Sequence, residues 1–202
     1  MRVRVLFSGG RDSSLAALML ANFFEVELVS CTFGILKNWE IAEGVAELIG
    51  FPFKVLNLDR TIIEDAVEQM ISDGHARGGI TQIHKSALKG VAELPDSEMI
   101  ADGCRRDDKT PVLTRGEIRS LEDRFGVQYI QPLAGFGRRT LDLLVNRYFE
   151  VEELEGRLID GPEYEYEIRK VVRERYSEYK NNELFPRFHT HSRVVKVKEF
   201  HP

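Results

Sequence analysis

One stretch, Ser8-Gly9-Gly10-Arg11-Asp12-Ser13-Ser14, constrains this chain more than any other. Ahead of it runs Val3-Arg4-Val5-Leu6-Phe7, β-branched and aromatic, which predicts a strand ended by the glycine pair. From Ser13 to Phe24, apolar residues at 15, 16, 18, 19, 20 and 23 give the spacing of a buried helix. A strand that turns through two glycines into a helix opens a β-α-β unit. In open α/β sheets, ligands sit beyond the carboxyl ends of such strands. Glycines without Cβ let the backbone approach an anion closely. The helix start offers unpaired N–H groups and a positive dipole end. Ser8, Ser13 and Ser14 add hydroxyl donors and Arg11 adds a cation, so the loop suits phosphate oxygens. Asp12 does not, unless a divalent cation or a backbone N–H takes its charge. A bare glycine turn with Ser or Asp as helix cap is the alternative reading. GxxxxGK[ST] occurs nowhere and GxGxxG does not follow the first strand, so neither a Walker A loop nor a Rossmann dinucleotide site is expected.

The rest of the chain alternates in the same way. Strands are expected at 25–33, 51–58, 98–101 and 127–130, and helices at 38–49, from 59 or 61 to 72, 80–93, 114–125, 139–148 and 163–180. Thr114 and Glu117 have capping-box spacing. Asp73 to Gly79 reads as a glycine-rich break flanked by His75 and His84, a candidate substrate loop. Repeated strand-helix order predicts an α/β fold: an open, doubly wound, parallel five-stranded sheet with a helical C-terminal extension and a basic tail. Arg193 to Phe200 alternates well enough for an edge strand or an exchanged arm.

A chain of 202 residues with net charge −5 and 43% hydrophobic residues can hide roughly 70% of its unfolded surface without staples. The acidic balance argues against bulk nucleic-acid binding, though not against a local basic patch. Two cysteines, Cys31 and Cys104, with no CxxC, exclude a Cys-rich zinc site and a dithiol redox motif. The first apolar run is too short for a signal peptide or a membrane span, so a cytoplasmic protein with free thiols is expected.

Val5-Leu6-Phe7-Ser8-Gly9-Gly10-Arg11-Asp12-Ser13-Ser14 resembles the SGGxDS pyrophosphate loop of the PP-loop (N-type) ATP pyrophosphatases, in the adenine nucleotide α-hydrolase-like superfamily of HUP-like folds. The resemblance covers roughly residues 1–147 as an ATP-binding domain and leaves 148–202 as the extension and tail. It implies an ATP- and magnesium-dependent ligase or transferase. Such enzymes adenylate a substrate carbonyl, release pyrophosphate, and let ammonia or a sulfur donor displace AMP. Asparagine-synthetase-like amidation and tRNA thiolation are both open, with an external donor, a small-molecule or tRNA acceptor and a homo-oligomer expected. The alternative is a non-catalytic ATP or AMP sensor of the same fold.

By this resemblance Ser8, Gly9, Gly10, Ser13 and Ser14 hold the β- and γ-phosphates, with Arg11 at the variable position. Asp12 holds magnesium, directly or through water. Cys31-Thr32-Phe33 lies where the family reads adenine. Asp102-Gly103-Cys104-Arg105-Arg106-Asp107-Asp108 resembles the strand-four glycine motif. There Asp107 and Asp108 are catalytic candidates, and Asp108 with Asp12 completes the metal site. Arg138, after the strand-five Pro-Leu turn, is a phosphate or substrate contact. Cys104 would lie near the activated carbonyl, which suits a covalent sulfur carrier. Cys31, also on the ligand side, reads chiefly as a small buried hydrophobe, with a second sulfur-transfer thiol as the alternative. His189 and His191 share a strand face, but two ligands without a third make thin evidence for a metal.

Overall fold

A computed structural model of the protein describes residues 1–111, 113–155, 163–185 and 190–198. Five strands form one wholly parallel sheet: β1 (Arg2–Leu6), β2 (Glu25–Thr32), β3 (Phe53–Asn57), β4 (Met99–Ala101) and β5 (Gln128–Ile130), in the order β3-β2-β1-β4-β5. The order reverses beside β1, so the loops after β1 and β4 diverge to opposite sides and leave a crevice at the carboxyl edge.

Alternation along β1 explains the two layers. Val3, Val5 and Phe7 face α1 (Arg11–Leu20), α2 (Trp39–Ile49) and α6 (Arg138–Tyr148), in a core with Leu15, Ala42 and Leu141. Leu6, with Val29 and Ile100, faces Leu88 and Val91 of α4 (Arg77–Ala92) and a flank of α5 (Arg115–Phe125). Each fully buried Val or Leu contributes about 1.5–3 kcal/mol over its exposed state. The Thr114 hydroxyl accepts from Glu117 N, and the Glu117 carboxylate accepts from Thr114 N at 2.8 Å, so the capping box is present.

The glycine-rich break is shorter than expected. α3 (Arg60–Asp73) ends on Gly74 at φ +70°, and α4 already begins at Arg77. Gly78 and Gly79 are helical. A Cβ at Gly79 would meet Met70 Cε at 2.4 Å and the Ala66 carbonyl at 2.6 Å, so this glycine serves close packing of α3 on α4.

The extension differs more. The sequence predicts one long helix from Glu163 onward; there are two, α7 (Tyr164–Arg175) and α8 (Glu178–Leu184), and Ser177 caps the second through Lys180 N. The tail neither edges the main sheet nor leaves the molecule. β7 (Thr190–Val197) pairs antiparallel with β6 (Phe149–Glu155), a strand the sequence reading missed, in a separate two-stranded sheet. Phe149 and Val194 are buried in the core of α1, while Ile168, Val171 and Val172 pack with Ile63 and Met70 of α3. The extension therefore shares the α1 core and a second core built on α3 with the rest of the chain. His189, the His191 side chain and 199–202 lie outside the described residues, and with them the two-histidine idea. Among the described residues, no helix is long and apolar enough to cross a membrane.

Candidate active site

The crevice opens into a cavity of about 770 Å³. Ser8, Asp12 and Ser13 line it from the β1–α1 loop, Asp102, Gly103, Cys104 and Asp108 from the segment after β4. Ser30 and Cys31 come from β2, His75, Ala76, Arg77, Ile80 and His84 from α4 and its approach, and Glu163 to Glu165 from the start of α7. Strands β1, β2 and β4 thus deliver three separate sequence motifs to one place.

The first loop is built to stay open. Gly9 adopts φ +73°, and a Cβ there would meet Ala42 Cα at 3.1 Å, so its missing side chain serves the packing of α2 beneath the loop. Ser13 Oγ donates to Gly10 O at 3.1 Å, and Ser8 N donates to Ser13 Oγ at 3.4 Å. Ser14 is fully buried in α1. Gly103 abuts the start of α1: a Cβ on it would stand 2.8 Å from Ser13 N and 3.0 Å from Asp12 C. Glycine there keeps the first N–H groups of α1 uncovered, and these have no partner within a helix. Unpaired N–H groups at a helix start can receive an anion.

The charged residues converge on Arg105. Asp12 lies 3.3 Å from its Nε and 3.3 Å from Arg11 Nε. Asp108 accepts from Arg105 N at 2.8 Å and from Arg105 Nη2 at 2.6 Å. Asp12 Oδ1 and Arg105 Nη1 are buried without a hydrogen-bond partner. Burial raises the Asp12 carboxyl above its ordinary range, against the pull of Arg105 and Arg11. Arg11 also pairs with Asp142 of α6 at 3.0 Å. Asp107 is exposed and accepts from Arg138 N at 2.9 Å, so it caps α6 rather than facing the cavity. The Arg138 side chain is 73% exposed and lies 3.9 Å from Asp142.

The adenine expectation at Phe33 meets a different occupant. The Phe33 ring packs in the core with Ile63 and Ile168, and its N–H donates to Glu167 of α7. Thr32 Oγ1 donates to the same carboxylate at 2.9 Å. Cys31 does line the cavity, but burial pushes its thiol up to about 12, which suits the small-hydrophobe reading.

A second cluster surrounds Cys104. His84 Nε2 lies 2.7 Å from Asp102 Oδ2 and 3.8 Å from Cys104 Sγ, and His84 Nδ1 lies 3.1 Å from the Tyr164 hydroxyl. Tyr129 donates to Asp102 Oδ2 at 2.5 Å, Gln131 Nε2 donates to Tyr129, and Cys104 N donates to Asp102 Oδ1 at 3.0 Å. Burial alone would raise the Asp102 carboxyl, but these bonds and the adjacent His84 outweigh it and hold the group below its ordinary range. Burial first, then the Asp102 charge, pushes the Cys104 thiol up. Asp102 and Cys104 share one imidazole nitrogen, so this is not a nucleophile–base–orienter triad, which needs both nitrogens. The sequence points to Asp102 and Cys104 but not to His84 as their partner; Tyr129 stands in its strand-five cluster and Tyr164 and Glu167 in an acidic helix start, without the contacts they make here. A histidine within an apolar helix face carries no local signal that a strand-four aspartate waits opposite.

The sheet order β3-β2-β1-β4-β5, with the loops after β1 and β4 at one edge, is a PP-loop-like, HUP-like α/β fold. Consistent with this, the U34-tRNA thiolase NcsA from Methanococcus maripaludis, solved with its [4Fe-4S] cluster, superposes with a TM-score of 0.50 at 14% identity, covering 91% of this chain and 70% of that one. The chain belongs to the family of unknown function DUF7411, whose model matches residues 1–196. It is 40% identical over 200 residues to the uncharacterized protein MJ0690 of Methanocaldococcus jannaschii, with 98% of each covered. The crystal structure of a predicted subunit of tRNA methyltransferase from the same organism matches with a TM-score of 0.90 at 39% identity, covering 98% of both chains.

Proposed function

We propose that this protein binds ATP with magnesium in the crevice and activates a carbonyl oxygen on a transfer RNA by adenylation. The observation that carries the reading is the open cradle at the head of α1, kept free by Gly103 against Ser13. Beside it stands Asp12, whose buried Oδ1 has no hydrogen-bond partner. Those residues fit a magnesium triphosphate. The helix N–H groups and the Ser8 and Ser13 hydroxyls would hold the terminal phosphates, and Asp12 would hold the metal. Bound magnesium would supply charge neutralisation on the departing pyrophosphate. Asp108 is a weaker metal candidate, because three donors of Arg105 already engage it. Arg105 stands where it could follow charge developing on the phosphates. The apolar wall formed by Ala76, Ile80, Leu184 and Phe185 is the surface best suited to the base, since the Phe33 N–H is engaged by Glu167.

The reaction divides into two displacements. The substrate oxygen attacks the α-phosphorus, the bond to the β-phosphate oxygen breaks, and pyrophosphate leaves from the loop. A sulfur or nitrogen nucleophile then attacks the activated carbon and AMP departs. Two similar structures, a tRNA thiolase and a predicted tRNA methyltransferase subunit, support tRNA as acceptor, and the first supports sulfur as the transferred atom. Exposed Lys109 on the cavity lining and exposed Arg106 near it suit a phosphate backbone.

A second reading, nucleotide binding without turnover, draws on the capture of Asp108 by Arg105. One experiment separates them. The protein is incubated with ATP, magnesium and transcribed, unmodified tRNA, and pyrophosphate and AMP are measured. Release stimulated by tRNA supports the enzyme. Binding of ATP without release under any acceptor supports the sensor, and absence of ATP binding removes both.

A further inference from the structure

We propose that His84, Asp102 and Cys104 form a second, separate metal site, an open three-ligand site for a divalent transition ion of the zinc class. Nε2 of His84, a carboxylate oxygen of Asp102 and Sγ of Cys104 all lie within 4.8 Å of one another. All three residues line the cavity, so a fourth position faces substrate space. An imidazole, a carboxylate and a thiolate with one open position is the donor set of catalytic rather than structural zinc. Thiolate disfavours magnesium and calcium, which separates this site from the one assigned to Asp12.

The surroundings are those a ligating set needs. A ligating histidine donates its other ring N–H to an oxygen, and the Tyr164 hydroxyl lies 3.1 Å from His84 Nδ1 to accept it. Asp102 is oriented by the Tyr129 hydroxyl at 2.5 Å and by the Cys104 N–H at 3.0 Å. Asp102 and Cys104 leave the end of β4 two positions apart with only Gly103 between, and α4 brings His84 across from the neighbouring layer. Gly103 itself packs on the start of α1, so a metal here would border the phosphate cradle. Two cysteines in the chain, one of them packed in the β2 core, are too few for an iron–sulfur cluster held by Cys thiolates. Binding would release the thiol proton to solvent and replace the His84–Asp102 hydrogen bond, the imidazole proton passing from Nε2 to Nδ1, where the Tyr164 hydroxyl accepts it, so that Nε2 can ligate.

The test uses the full chain without a histidine tag, stripped with chelator and titrated with cobalt(II) and then zinc. One equivalent of cobalt is expected to give thiolate-to-cobalt charge transfer with intense tetrahedral d–d bands, and zinc is expected to quench both. Cys104→Ser should abolish the charge transfer, and His84→Ala should weaken affinity tenfold or more, with circular dichroism checking that each variant folds. If both variants unfold, elemental analysis of the untagged native protein decides alone: about one zinc per chain supports the site, less than a tenth overturns it. Absence of the charge-transfer band, or a band that persists in Cys104→Ser, also overturns it. The magnesium-ATP reading stands or falls separately, since cobalt binding is measured without nucleotide.

Discussion

The Glu167 carboxylate accepts the Phe33 N–H at 3.1 Å, joining α7 to the end of β2. The same buried group also takes N–H bonds from Ile35 at 3.0 Å and Leu36 at 3.2 Å, and the Thr32 hydroxyl at 2.9 Å. Without it, the turn leading to α2 would bury several backbone donors unpaired.

Replacing that carboxylate tests how much this helix holds. Glu167→Gln puts an amide NH₂ among N–H donors and removes the charge that strengthens each bond. A loss of about 3 kcal/mol is expected. For a chain of this size each kcal/mol is about 2–4 °C in melting temperature, so calorimetry should register a fall of about 6–12 °C. A melt within about 2 °C of the native protein would show that the interaction is dispensable.

Gly103→Ala addresses the phosphate cradle. The added methyl would stand 2.8 Å from Ser13 N, a backbone atom that cannot swing aside. ATP affinity should fall at least tenfold by calorimetric titration while far-ultraviolet circular dichroism stays native. Unchanged affinity would place the triphosphate elsewhere.

Asp12→Asn separates metal chemistry from folding. Magnesium-dependent pyrophosphate release should drop by two orders of magnitude or more. The thermal midpoint should hold or rise, because the substitution removes a charge whose burial is unfavourable. Retained turnover would contradict the metal role.

Glu117 predicts a pH window on the far side of the sheet. Hydrogen bonds from Lys85 and from Thr114 hold its carboxyl down to about 2. A depressed acid stabilises the fold above its unfolded value, near 4.5, and that contribution disappears as pH falls toward 2. Urea midpoints of the native protein should therefore decline through this window, and Glu117→Gln should flatten part of the decline. Thr114→Ala, which removes the cap, should cost about 1 kcal/mol at neutral pH. A slope identical in Glu117→Gln would assign the acid sensitivity to other carboxylates.

The sheet was legible because buried parallel strands such as β2 read as apolar runs bounded by turns. The loop at 8–14 was legible because it is contiguous. What escaped was non-local. Phe149-Glu150-Val151-Glu152 alternates, yet it reads as the frayed end of α6 until Arg193 and Lys196 arrive opposite to pair with Glu152 and Glu150. Glu167 stands in a run of charged residues and looks solvated, since nothing nearby reveals the amides it meets. The acidic, tyrosine-bearing start at Glu163 was read chiefly as a helix opening. It is one, but Glu163 and Tyr164 also line the cavity.

The carbonyl of Ser192, on β7, stands 3.4 Å from where a side chain on Gly10 would begin. All five strands of the main sheet are complete by Ile130, but this backing for the first loop comes from a strand more than sixty positions later. On the ribosome, the sheet can assemble while the earliest loop still lacks its final neighbour. A nascent or prematurely terminated chain would then carry a folded scaffold with an unfinished mouth, and full competence would await emergence of the last strand.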